Sequence, residues 1–125
     1  MNNNHGQSLV LFVLIIPIFI LIIMAIIDIG KVALLKSELD DINYITLEYG
    51  LDNLDKDNLE NKLEDMIRKN NENLDTVKIE INEQKINITI ENRVDLIIIK
   101  NSNIFNIESS YVGYLDNDKK IIERA

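Results

Sequence analysis

Residues 9–27 read LVLFVLIIPIFILIIMAII, and this apolar run decides the fold of the N-terminal part of the chain. Its 19 residues include no charged side chain. As a helix, at about 1.5 Å per residue, they would span roughly 28 Å, which is close to the ~30 Å hydrocarbon thickness of a bilayer. A buried helix of a soluble protein would be shorter and would show a polar face. The apolar run therefore predicts a transmembrane helix.

The sequence on either side of the apolar run distinguishes a permanent anchor from a cleaved secretory signal. A secretory signal needs a basic n-region, an apolar stretch of about 7–15 residues and a small-residue cleavage site. The first eight residues, MNNNHGQS, contain no Lys or Arg, and the run is followed by Asp28-Ile29-Gly30-Lys31. A permanent anchor fits this pattern better.

The charge balance excludes two kinds of partner. The 125-residue chain has 13 Lys+Arg against 21 Asp+Glu, a formal net charge of −8. Without a basic patch, the chain would not displace counterions from phosphates, so we predict no nucleic-acid partner. The same balance argues against binding to an anionic membrane surface.

The residue types also argue against catalysis. The chain has no Cys, and its single His, His5, precedes the apolar run. The rest of the chain therefore has no acid–base His and no Cys/His metal constellation. No glycine-rich phosphate loop is present. A cluster of acids lacks the spacing of an EF-hand and is better explained as a solvated helix face: Asp55, Asp57, Glu60 and Glu64. We predict no enzyme activity, no catalytic residue, no cofactor and no metal site.

Beyond Gly30 the pattern becomes that of an amphipathic helix. Its apolar seam, with Thr46 in one further position, consists of Val32, Leu35, Leu39, Ile42 and Tyr49. Gly30 costs only about 1 kcal/mol inside a helix, so we predict that the transmembrane helix continues outward. The whole rod would have about forty residues and a length of roughly 60 Å. Gly50 is its predicted C-terminal cap.

A second helix is predicted over residues 57–70. Asp57 and Glu60 would form a capping-box-like pair at its start. Arg68 and Lys69 suit the negative end of the helix dipole. One face would be apolar: Leu59, Leu63, Met66 and Ile67.

After the second predicted helix, the spacing of the apolar residues changes from a helical period to a period of two residues. Alternation at 77–81 and again at 86–90 predicts a β-hairpin with one buried face. Residues 94–99 fit either a third strand or part of a short helix, 104–115 fit a last strand, and 116–125 fit a polar tail. The predicted fold class is α+β, with the long N-terminal helix packed on a second helix and a small antiparallel sheet.

The residues around the apolar run show a family pattern. They are Gly6-Gln7-Ser8-Leu9-Val10-Leu11-Phe12 at its start, Pro17 inside it and Asp28-Ile29-Gly30 at its end. This pattern resembles the TadE-like minor pilins, or pseudopilins, of the tight-adherence branch of type IV pilus systems. In that family a short leader ends in Gly, followed by Gln-Ala-Leu-Val-Glu-Phe, an apolar helix with a Pro, and Asp-x-Gly. The resemblance covers one end of the chain, and it implies a pilin-like head.

The resemblance implies a route of processing and export. Prepilin peptidase, a membrane aspartyl protease, would cut between Gly6 and Gln7. Residues 1–6 would be a leader peptide, 7–30 a transmembrane helix and 31–125 an extracytoplasmic α+β head. Lys31 and Lys36 alone faintly favour the opposite orientation, but mixed charges give a weak signal and we prefer the family topology.

The resemblance also implies partners and a location. The partners would be the lipid bilayer, prepilin peptidase, other pilins or pseudopilins, and the assembly platform with its ATPase. The chain would be a single-pass protein of the bacterial cytoplasmic membrane that is incorporated into a surface pilus.

The chain departs from the family pattern at Leu11, where the family has Glu. In pilins that carboxylate is thought to pair with the amino terminus of a neighbouring subunit, because an unpaired buried charge is costly. A subunit at the tip has no neighbour ahead and would need the carboxylate least. We therefore predict a tip or initiating minor pilin rather than a repeated shaft subunit.

Four further residues of the pattern are candidates for packing in an assembly. Phe12 and Gly30 belong to the two ends of the motif. Pro17 is either a kink that a membrane helix tolerates or a packing feature. Asp28 is either a boundary residue that reaches water or a polar contact with a neighbouring chain.

The predicted function is that of a membrane-anchored minor pilin or pseudopilin. It would act in assembly or tip initiation of a tight-adherence pilus or a related secretion apparatus. The alternative is a generic single-pass membrane protein with an extracytoplasmic interaction domain. Cleavage after Gly6 separates the two.

Overall fold

The computed structural model describes residues 4–98 and 106–125, which form two helices and a four-stranded antiparallel sheet. The predicted α+β fold class is confirmed. In chain order the elements are α1 (Asn4–Asp52), α2 (Leu59–Asn70), β1 (Thr76–Asn82), β2 (Lys85–Arg93), β3 (Asn106–Asp116) and β4 (Lys119–Arg124).

Helix α1 continues from the apolar run into the head without a break. Its 49 residues, at about 1.5 Å each, give a rod about 74 Å long, longer than predicted. The predicted seam is confirmed, since Leu39 and Ile42 are buried in the core. Thr46 is also fully buried, and its hydroxyl donates to the Ile42 carbonyl at 2.7 Å. This bond satisfies the polar group inside the core.

Gly50 lies inside α1, so its prediction as the C-terminal cap is wrong. The helix ends at Asp52, and none of the glycines in the described residues has a positive φ. A Cβ atom at Gly50 would lie 2.8 Å from Ile86 Cδ1 and 3.2 Å from Leu63 Cδ1. Carbon atoms pack best at about 3.5–4.0 Å. Gly50 is therefore the residue that lets α1 approach α2 and β2 closely.

Helix α2 begins at Leu59 rather than at Asp57. The residue before it, Asn58, has a left-handed backbone with φ 58° and no side-chain capping bond. The predicted capping pair of Asp57 and Glu60 is therefore wrong. The predicted apolar face is confirmed by burial of Leu59, Leu63 and Ile67 and by packing of Met66 against the core.

The sheet is a meander in which each strand pairs with the next one along the chain. The predicted hairpin is confirmed, with Ile79 opposite Ile88 and Ile81 opposite Ile86. Helix α1 packs against β2, β3 and β4, while α2 packs against β1 and α1. The helices therefore cover one face of the sheet. The fully buried isoleucines of β2 lie on that face: Ile86, Ile88 and Ile90.

Residues 116–125 are not a polar tail, so that prediction is wrong. They turn back and pair with β3 as β4, which places Ile122 opposite Gly113. Asn117 and Asp118 form the turn, with φ 51° and 64°. Positive φ at both central residues is what a two-residue type I′ turn requires, and Asn and Asp tolerate it better than most residues do.

The connection after β2 has no regular structure in its described part. Residues 94–98 form neither of the predicted alternatives, a strand or a helix. Three of these predictions extend outside the described residues. They concern residue 99, residues 104 and 105 of the predicted last strand, and residues 1–3 of the predicted leader. The predicted strand is confirmed from Asn106 onward as β3, although it is followed by β4.

Candidate functional site

The N-terminal half of α1 is the candidate membrane site, and it is apolar on every side. Within the described residues, α1 is the helix that is long and apolar enough to cross a membrane, and its most apolar window has no buried residue. Exposed side chains extend from Leu9 to Ile29 around the whole circumference. Such a surface is stable only when lipid or other apolar helices cover it. This half of α1 is thus suited to membrane anchoring.

Gly6 and Gln7 lie in the first turns of α1 and are exposed. A Cβ atom added at Gly6 would meet nothing within 4 Å, so the fold itself does not require glycine there. Leu11 and Phe12 follow one turn later, and both side chains are exposed. The first turn of α1 contains no acidic residue.

Pro17 lies in the helix interior and is exposed. Proline has no backbone N–H, so the carbonyl of Val13, one turn earlier, loses its usual donor. The helix nevertheless continues through this position.

Asp28 is buried, although it ends the apolar run and is only 6 % exposed. Its Oδ1 accepts the backbone N–H of Ile97 at 2.8 Å, and its Oδ2 accepts that of Ile98 at 3.0 Å. Both partners lie in the irregular connection after β2. The carboxylate is therefore bonded within its own chain, which neither alternative from the sequence anticipated.

Gly30 lies two residues beyond Asp28 on the exposed surface of α1. A Cβ atom added there would meet nothing within 4 Å. The contrast with Gly50 is direct, because the fold requires glycine at Gly50 and leaves open space at Gly30.

A buried polar cluster, which the sequence analysis missed, attaches α1 to the sheet. Asn43 is fully buried, and its Nδ2 donates to the Ile88 carbonyl at 3.0 Å and to the Ser109 carbonyl at 3.1 Å. The Ser109 hydroxyl donates to Asp40 Oδ1 at 2.6 Å, and Lys36 Nζ lies 3.2 Å from the same oxygen. Buried polar groups with partners fix one relative position of the packed elements. The cluster therefore sets the register of α1 on β2 and β3.

The chemistry of these residues is that of packing. Across 4–98 and 106–125, no three His, Cys, Asp or Glu side chains are grouped so that they would hold a metal ion. The predicted site residues do not converge on one point. They lie along about 24 residues of a single helix, which is the geometry of a contact surface rather than of a reaction centre.

Comparison with known proteins agrees with the resemblance seen in the sequence. A family model described as "TadE-like protein" matches residues 6–42. This range begins at Gly6, includes every predicted site residue and ends within α1, before the sheet. No curated protein and no solved structure matches the chain. The N-terminal part of the chain, 37 of its 125 residues, is therefore similar to TadE-like proteins.

Proposed function

We propose that this chain is a membrane-anchored minor pilin or pseudopilin that acts in assembly or tip initiation of a tight-adherence pilus or a related secretion apparatus. The observation behind this proposal is the division of α1 into two halves. Its first half exposes apolar side chains all round, whereas its second half forms part of the core of the head.

A helix of this kind suits a subunit that exchanges one apolar environment for another. In the cytoplasmic membrane, lipid would cover residues 7–30. In a filament, the same surface would pack against the helices of neighbouring subunits. The open space at Gly30 supports this step, because small residues let helices approach closely where lipid is the alternative. The head would then lie on the extracytoplasmic side and residues 1–6 on the cytoplasmic side.

Leu11 supports a position at the tip. The described part of the chain before Asp28 contains no carboxylate, so no acid in this half of α1 would pair with the amino terminus of a neighbouring subunit. A tip subunit docks without a neighbour ahead of it. Labelling of native pili would test this position, since signal along the whole shaft would contradict it and signal at one end would agree with it.

Cleavage between Gly6 and Gln7 is the decisive test of the pathway. The full chain would be expressed with and without a prepilin peptidase, extracted from membranes, and analysed by intact mass and N-terminal sequencing. We expect a mature chain that begins at Gln7 only when the peptidase is present. An uncut chain under both conditions would favour the alternative, a single-pass protein with an interaction domain.

A pair of glycine variants makes this test specific. Gly6→Leu adds a side chain at an exposed position with no neighbouring atom, so loss of cleavage would arise at the peptidase and not from misfolding. Gly30→Leu is the matched control, because it makes the same change at another open position of α1. We expect Gly6→Leu to abolish cleavage and Gly30→Leu to leave it unchanged.

A further inference from the structure

The segment Leu96–Ile98, called here the boundary segment, is held at the level where the apolar run ends. Two consecutive backbone amides, those of Ile97 and Ile98, donate to the two carboxylate oxygens of Asp28. Asp28 directly follows the last residue of the apolar run. The boundary segment therefore lies beside the point where α1 leaves the hydrocarbon layer.

The side chains of the boundary segment are apolar and partly uncovered. Leu96 is buried, while Ile97 is 40 % and Ile98 is 48 % exposed. An open groove of about 470 Å³ separates this segment from α1, and its lining is almost entirely apolar, with Ala25, Ile29 and Val32 on the helix side. Asp28 and Lys36 also border this groove, and Lys31 and Asp95 line a neighbouring pocket together with Leu96 and Ile97. The segment thus presents apolar side chains next to charged groups.

We propose that the boundary segment is a second membrane contact, with Ile97 and Ile98 inserted among the lipid acyl chains at the bilayer interface. The inference rests on the membrane anchoring of α1 given under the proposed function. It adds that the head is seated on the bilayer through its own residues, rather than held above it by α1 alone.

The bonds to Asp28 explain how an irregular segment can lie at this depth. Backbone N–H groups that face lipid must be satisfied inside the protein, because water is scarce there. Asp28 satisfies two of them at once with its two carboxylate oxygens. The same two bonds stabilise a carboxylate that would otherwise be costly at the edge of the hydrocarbon.

Lipid is a better occupant of this surface than a second copy of the chain. The exposed isoleucines continue the lipid-facing surface of α1, where Ile26 and Ile29 are also exposed at the same level. Two copies would each bring a net charge of −8 to the contact. Apolar insertion needs no anionic headgroup, so uncharged phosphatidylcholine vesicles are the appropriate probe.

Site-directed spin labelling tests the proposal on the full chain. The sequence contains no Cys, so each introduced cysteine is the sole labelling site. Nitroxides would be placed by Ile97→Cys and Ile98→Cys, with Leu21→Cys as the reference inside the apolar run. Ile45→Cys is the reference in water, because Ile45 is exposed on α1 about 26 Å beyond Asp28. The measurement is accessibility to oxygen, which enters lipid, against a water-soluble nickel complex.

We expect positions 97 and 98 to show an oxygen-to-nickel ratio severalfold above that of Ile45→Cys and closer to that of Leu21→Cys. A ratio equal to that of Ile45→Cys, with Leu21→Cys in lipid, would overturn the inference. So would loss of accessibility to both reagents as the protein-to-lipid ratio rises, which would indicate a second copy. If Leu21→Cys itself lay in water, membrane anchoring would fail instead, and the inference with it.

Asp28 provides a second readout. Asp28→Ala removes both acceptors, so the nitroxide at position 98 should become more mobile and its oxygen-to-nickel ratio should fall. Asp41→Ala is the matched control, since Asp41 is exposed on the same helix. We expect it to change neither quantity. Equal spectra for Asp28→Ala and the parent would show that the carboxylate does not hold the segment.

Discussion

Replacement of Gly50 by alanine should destabilise the head, although alanine is the better helix former. The added Cβ would lie 2.8 Å from Ile86 Cδ1, about 0.7 Å inside the nearest favourable carbon–carbon distance. Ile86 and Leu63, its two nearest neighbours, are both fully buried and have little room to move. Overpacking of this kind costs about 1–3 kcal/mol. The helix-propensity gain of up to about 1 kcal/mol offsets part of it. We expect a net loss of about 1–2 kcal/mol.

The assay is urea unfolding of the full chain in detergent micelles, followed by tyrosine fluorescence. All four tyrosines lie beyond the apolar run and report on the head: Tyr44, Tyr49, Tyr111 and Tyr114. Gly30→Ala is the control, because its Cβ meets no atom and only the propensity term changes. The unfolding midpoint should fall for Gly50→Ala and should not fall for Gly30→Ala.

A double-mutant cycle tests whether the contact with Ile86 is the cause. Ile86→Val removes the Cδ1 atom, and alone it should cost about 0.5–1.5 kcal/mol. In the Gly50→Ala background, Ile86→Val should lower the unfolding free energy by clearly less than it does in the parent, because it also relieves the clash with the added Cβ. Additive effects in the cycle, or a Gly50→Ala midpoint equal to that of Gly30→Ala, would refute the reasoning.

Three other predictions use the same preparation. Leu63→Ala should lower the unfolding free energy by about 2–5 kcal/mol, because it leaves a cavity in the fully buried face of α2; a loss comparable to that of a surface variant would contradict this. Asp118→Gly should raise the unfolding free energy by about 0.5–1 kcal/mol, since glycine adopts φ 64° without strain; a lower unfolding free energy would show that the turn needs the Asp side chain. The negative charge of Glu123 raises the pKa of Tyr114 above its usual 10.0. The neutral phenol therefore favours folding below the pKa of the unfolded chain, and this contribution is lost as pH rises through the higher folded pKa. Alkaline absorbance titration should show that Glu123→Gln lowers the pKa of Tyr114, and an unchanged titration would exclude Glu123 as the cause.

The parts of the fold that the sequence predicted are those with a local period. The apolar run, the seam of α1 and the alternation of β1 and β2 each repeat within a few residues, so one buried face is visible in the sequence. Strand β4 was missed because its apolar residues, Ile121 and Ile122, are adjacent and not alternating. The turn at Asn117 and Asp118 was the available signal, since both residues tolerate a positive φ.

The contacts that the sequence did not predict join residues far apart in the chain. Asp28 meets amides about seventy positions later, and Asn43 meets two strands, so no local pattern marks either of them. Asn43 also lies beside the apolar seam, where a polar residue normally indicates solvent. Gly50 was misassigned because a glycine near a helix end fits both a cap and a close approach, and only the packed partners Leu63 and Ile86 distinguish the two.

The absence of a joint along α1 makes the position of the head depend on the angle of its anchor. From Asp28 to Asp52 the helix extends about 36 Å beyond the apolar run. If the anchor leans by about 20°, a usual value for membrane helices, Asp52 moves sideways by about 12 Å. A bilayer of different thickness changes that angle, so the head would be displaced parallel to the membrane surface. A torque applied to the head would likewise be transmitted directly to the apolar N-terminal half of α1.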